Sequence, residues 1–60
     1  MQTIASRIRN AHQLAGHIAR AAGKECTSSR YESKFERETF TFGDGSKIEI
    51  VKNRYVKVQP

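Results

Sequence analysis

The hydrophobic period of the chain changes halfway along, and this change constrains the fold more than any other feature. Over residues 3–22 the apolar positions are Ile4, Ile8, Ala11, Ala15, Ile18 and Ala22. Their spacing alternates between four and three, which keeps them on one stripe of an α-helix. Leu14 and Ala19 widen the stripe, and the alanines favour helix intrinsically. Thr3 stands where an N-cap belongs, and Gly23 where a C′ glycine would stop the helix. From residue 34 the period becomes two. Phe40 and Phe42 alternate with Thr39 and Thr41, Ile48 and Ile50 with Lys47 and Glu49, and Val56 and Val58 with Tyr55 and Lys57. Gly43-Asp44-Gly45-Ser46 separates the first two runs and is a strong hairpin signal. Asn53-Arg54 separates the last two and is a weaker one. Residues 24–33 are polar, and the chain between the two patterns, residues 23–33, is read as a linker.

These readings give an α+β fold: a long N-terminal helix (residues 3–22) packed on a three-stranded antiparallel β-meander (residues 34–59), an α-β-β-β two-layer sandwich. The whole chain, residues 1–60, is expected to be one small domain. The parities place Phe40, Phe42, Ile48, Ile50, Val56 and Val58 on the sheet face that the helix covers. Arg37, Thr39, Thr41, Lys47, Glu49, Val51, Tyr55 and Lys57 fall on the open face. With 60 residues, one core of this kind rarely contributes more than about 3–5 kcal/mol. A large enzyme and a deep substrate cavity are excluded on size. No apolar run approaches the roughly 20 residues of a membrane span.

A length mismatch bears on partners. A 20-residue helix is about 30 Å long, whereas strands of five or six residues span about 17–20 Å. The apolar stripe, with Ile4, Ile8, Ala11, Ala15 and Ile18 as its interface residues, should overhang the sheet. A protein target, a second copy of the chain in a homodimer, or Tyr31 and Phe35 folding back would cover the overhang.

The net charge is +5, and its distribution is uneven. Residues 1–24 carry Arg7, Arg9, Arg20 and Lys24 and no acid, while the remaining 36 residues carry seven bases and six acids. An acid-free basic segment suits an anionic partner. On a helical wheel Arg9, Gln13 and Arg20 lie together, with Lys24 and His17 beside them, so these five form the expected basic binding face. Arg, Gln and His side chains can contact phosphates or base edges.

Catalytic constellations are not apparent. On one continuous helix His12 and His17 would sit roughly 140° apart, unlike the i, i+4 pair of a metalloprotease helix. Cys26 follows a helix C-terminus, the wrong end for an activated thiolate. Glu32, Glu36 and Glu38 are best read as cross-strand partners of Arg or Lys. The Gly43-Asp44-Gly45 turn lacks the Lys-Ser/Thr and the following helix of a phosphate loop. No enzyme activity, metal or cofactor is expected.

Two function classes follow. The first is a small non-catalytic interaction protein, an inhibitor or regulator of the kind carried by mobile elements, acting on nucleic-acid-handling machinery. The second is direct DNA or RNA binding through the basic helix face. Membrane-surface attachment is disfavoured because the apolar face is mostly alanine. A lone thiol and the absence of a leader pattern make a cytoplasmic setting the expectation.

Overall fold

The structure is a computed structural model that describes residues 2–60. Its order is α1 (Ile4–Ala11), α2 (Ala15–Glu25), β1 (Ser28–Glu32), β2 (Arg37–Thr41), β3 (Lys47–Val51) and β4 (Tyr55–Gln59). The strands form one antiparallel sheet in the order β1-β2-β3-β4. The α+β class and the antiparallel meander stand. The single long helix and the three-strand count do not: the described residues form two helices and four strands.

The helix expected over 3–22 breaks at residues 12–14. His12 (φ −136°, ψ 147°) and Leu14 (φ −90°, ψ 135°) are both extended. The physical reason is the length mismatch itself. A continuous helix would carry Ile18 and Ala22 past the end of a sheet built from five-residue strands. Breaking the helix lays α2 beside α1, so that α1 packs on β4 and α2 on β3. Ile8 is then 2% exposed, and Ile18 and Ala22 are fully buried. Burying one isoleucine stabilises by about 1.5–3 kcal/mol, which together with the burial of Ala22 offsets the helical hydrogen bonds forgone at the junction. The overhang is removed within the chain. Tyr31 and Phe35 play no part in this, since both remain exposed.

Helix boundaries have local causes. Thr3 caps α1: its Oγ1 accepts from the Ser6 N–H at 3.1 Å. Leu14 occupies the N-cap of α2 and offers no side-chain acceptor, and only its backbone carbonyl receives the His17 and Ile18 N–H groups. Gly23 does not end the second helix, which continues to Glu25 with Cys26 as C-cap. A Cβ added at Gly23 would meet the Phe40 ring at 3.9 Å, an ordinary van der Waals distance.

The segment taken as a linker contains β1, whose residues pair with β2 from Ser28↔Thr41 to Glu32↔Arg37. Its sequence, SSRYE, has no apolar alternation because the helical layer does not bury it; Ser29 and Tyr31 point to the covered side of the sheet yet stay exposed. The β3–β4 turn is centred one residue earlier than expected, at Lys52 (φ 54°) and Asn53 (φ 55°), with the Arg54 N–H donating to the Val51 carbonyl at 3.0 Å. Two successive residues with positive φ are the signature of a type I′ hairpin.

The Gly43–Ser46 turn has a second task. Gly45 takes a φ of 88°, which a glycine adopts freely. The turn then reaches the start of α1. Asp44 Oδ2 accepts from the Ile4 N–H at 2.8 Å, and Ser46 Oγ accepts from the Ala5 N–H at 3.1 Å. Ser46 is fully buried, and Asp44 Oδ1 accepts from its N–H and hydroxyl. Two of the orphan N–H groups of α1 are thereby satisfied from a turn 40 residues away. The Ser46 hydroxyl, followed by the Ile4 and Ser46 amides, holds the Asp44 carboxyl below its ordinary value.

The core joins Ala5, Ile8, Ile18, Ala22, Phe40, Phe42, Ile48 and Ile50, with Val56 and Val58 packed against it. The sheet residues are those read from the period of two. Of the helix stripe, Ile8, Ile18 and Ala22 enter the core and Ile4, Ala15 and Ala19 pack against it, whereas Ala11 and Leu14 are exposed and Ala5, outside the stripe, is fully buried.

Candidate nucleic-acid interface

Positions 17, 20, 21 and 24 of α2 follow i, i+3, i+4, i+7 spacing and share one face. Ile18 and Ala22 turn the opposite way and are buried. The result is a cavity of about 400 Å³ lined by His17, Arg20, Ala21, Lys24 and Glu25 from α2 and by His12 from the α1–α2 junction. His17, Arg20 and Lys24 are exposed, and His12 is half-buried.

The break in the helix creates this site. It brings the His12 and His17 rings to a centroid separation of 6.4 Å at an interplanar angle of 73°. The expectation that the two histidines diverge assumed a continuous helix and is corrected here. The pair by itself does not make a metal centre: no group of three metal-ligating side chains occurs among the described residues.

Charge in the groove is one-sided. The only acid in residues 2–27 is Glu25, and Arg7 of α1 already holds it at 2.5 Å. That pair is about half exposed and worth at most about 1 kcal/mol, but it removes the one negative group from competition. Arg20 and Lys24 have no carboxylate partner among the described residues. Arg20 offers a planar fork of donors, Lys24 a point charge, and each imidazole at least one ring N–H. Donors of these kinds around an open groove suit the oxygens of a phosphate group.

Three of the five residues expected on the basic face, His17, Arg20 and Lys24, therefore meet here, joined by His12. The other two stand apart. Arg9 Nη1 donates to the His12 carbonyl at 3.2 Å, so its guanidinium secures the junction. Gln13 is exposed within the junction and does not line the groove. Of the apolar stripe, Ile8 and Ile18 lie in the core, Ile4 and Ala15 pack against it, and Ala11 is exposed.

The carboxylates are distributed along the strands. Glu32 Oε1 accepts from Arg37 Nε and Nη2 at 3.0 and 2.6 Å, the cross-strand pairing expected of it. Glu36 is not on a strand; it closes the β1–β2 loop with φ 50°. Glu38 lies on the covered side of β2 opposite Tyr31. Cys26 is a half-buried free thiol whose Sγ contacts the Gly23 carbonyl. Among the described residues no helix is long and apolar enough to cross a membrane.

No protein-family model, curated protein or solved structure gives a significant match to this chain.

Proposed function

We propose that this chain is a non-catalytic docking module that binds the phosphate backbone of nucleic acid through the groove that α2 forms with His12 of the α1–α2 junction. The observation that carries this reading is the row His17, Arg20 and Lys24 on one face of α2, opposed by His12, with the neighbouring acid Glu25 engaged by Arg7. Backbone contacts by Lys and Arg supply affinity without sequence preference. The reading accordingly assigns the chain a general nucleic-acid affinity, which a regulator or an accessory factor of nucleic-acid-handling machinery would use. A reducing, cytoplasmic setting fits the single free thiol of Cys26.

The rival reading, an inhibitor that docks on a protein through its apolar stripe, has less to stand on. Ile8 and Ile18 are occupied in the chain's own core, and the overhang that called for a partner or a second copy is absent.

The test is the double substitution Arg20→Glu with Lys24→Glu. Both positions are exposed, so the fold should persist, which circular dichroism checks. Affinity for generic duplex DNA or single-stranded RNA at low salt should fall about 10-fold or more, since two phosphate contacts become repulsive. Unchanged affinity would reject the groove as the binding surface.

A further inference from the structure

The outer face of the sheet carries a second arrangement that the groove does not use. The strand register makes it a grid of three rows. Ser28, Thr41, Lys47 and Gln59 form one row; Arg30, Thr39, Glu49 and Lys57 the next; Glu32, Arg37, Val51 and Tyr55 the last. Each of the four strands contributes one cation: Arg30, Arg37, Lys47 and Lys57. Of the two acids on the face, Glu32 is paired with Arg37, while Glu49 accepts only from the neutral Gln59 amide at 3.4 Å and keeps its charge, so the face carries four cations against two acids. Arg30, Lys47 and Lys57 are exposed and have no carboxylate partner among the described residues. Hydroxyls of Ser28, Thr39 and Thr41 line a shallow cavity of about 330 Å³ together with Arg30, Arg37 and Lys47 and the acids Glu32 and Glu49. Tyr55, 66% exposed, stands at one corner.

This face lies on the opposite side of the molecule from the groove. The helices cover one side of the sheet, the grid is the other, and the shortest dimension of the whole is 18 Å. From Arg30 to Lys57 the middle row crosses three strand spacings, about 14 Å. Duplex DNA presents one phosphate charge per about 1.7 Å of axis, so several phosphates fall within that reach. The hydroxyls can donate to phosphate oxygens, and Tyr55 offers a ring on which a single-stranded base can stack.

We propose that the outer sheet face is a second nucleic-acid surface, so that one molecule bridges two nucleic-acid segments held on opposite sides. This inference rests on the groove reading and adds to it a bridging activity that a one-sided binder lacks. The occupant is again a phosphate backbone, because the excess of four cations over two acids, with hydroxyls among them, complements it in charge and in hydrogen bonding.

The experiment uses two short, non-complementary single-stranded DNA oligonucleotides, one with a donor dye and one with an acceptor, at about 50 mM salt, where backbone contacts are strong. Sensitised emission should rise with added protein, peak near one molecule per two strands, and fall in excess as each strand acquires its own molecule. The variant Arg30→Glu with Lys57→Glu should bind a single labelled strand, read by anisotropy, within about threefold of the parent, because its groove is intact. Its energy transfer should drop at least about fivefold. Free protein and variant should sediment alike, which separates loss of the surface from loss of self-association. Energy transfer that survives in the variant, or parent protein that binds strands without any transfer, would overturn the bridging inference and leave the groove reading in place. Failure of the parent to bind either strand would overturn both.

Discussion

At the residue scale, the most consequential side chains are Asp44 and Ser46, which join the β2–β3 turn to the first turn of α1. Replacing Ser46 with Ala leaves the Ala5 N–H without its buried partner, which costs about 1–3 kcal/mol. Urea denaturation should show this as a lower midpoint at an unchanged slope. Asp44 makes the same junction pH-dependent. Its folded carboxyl titrates below the ordinary value because the Ser46 hydroxyl and the Ile4 amide favour the anion. The contribution is therefore present above the unfolded value of about 3.9 and is lost as pH falls through the lower folded value. A melting-temperature profile from pH 6 to pH 2 should fall more steeply for the parent than for Asp44→Asn in the acid limb, and parallel profiles would refute this role. The Thr3 cap was legible because its partner lies three residues away. The Asp44 contact was not, because no local pattern links a hairpin turn to a helix start 40 residues earlier.

At the element scale, periodicity identified which residues face inward but not where the backbone bends. Of the stripe from Ile4 to Ala22, all but Ala11, which stands beside the break, face inward, yet a 4-3-4-3 spacing reads the same across a short extended break. Only the sheet length, against which the helix must fit, forces the break. The histidine geometry followed from that error: rings placed roughly 140° apart on one helix meet across two. Strand β1 escaped notice for the opposite reason. It is held by backbone pairing to β2, and without burial there is no alternation to read. This omission also hid the places of Ser28, Arg30 and Glu32, a quarter of the outer grid.

The break leaves a testable weakness. Leu14, 63% exposed, has the extended backbone of an N-cap and no side-chain acceptor. Leu14→Ser should supply one to the first turn of α2 and stabilise the protein by about 0.5–1 kcal/mol. A thermal melt shifted downward would show that Leu14 is held in place by packing and not by its position alone.

At the scale of the whole molecule, a 60-residue chain builds one apolar core between two surfaces that each carry unpaired cations. The Arg7–Glu25 pair joins the two helices and in doing so leaves Arg20 and Lys24 as the free charges of the groove. On the other side, Arg37 engages Glu32 and leaves Arg30, Lys47 and Lys57 free. The positive excess was legible in the sequence, and so were three members of the groove. Their meeting with His12 was not, since it depends on the helical hairpin that the sheet length imposes. An electrostatic account of this kind makes a demand on salt that shape-based docking does not.

The central claim is tested most directly by titrating the protein with fluorescent duplex DNA at about 50 and about 200 mM salt and comparing the two affinities by anisotropy. Two or three phosphate contacts through the groove predict a loss of about 10- to 40-fold across that range. Binding that is insensitive to salt, or no binding at the lower concentration, would contradict the assignment of the groove to a nucleic-acid backbone.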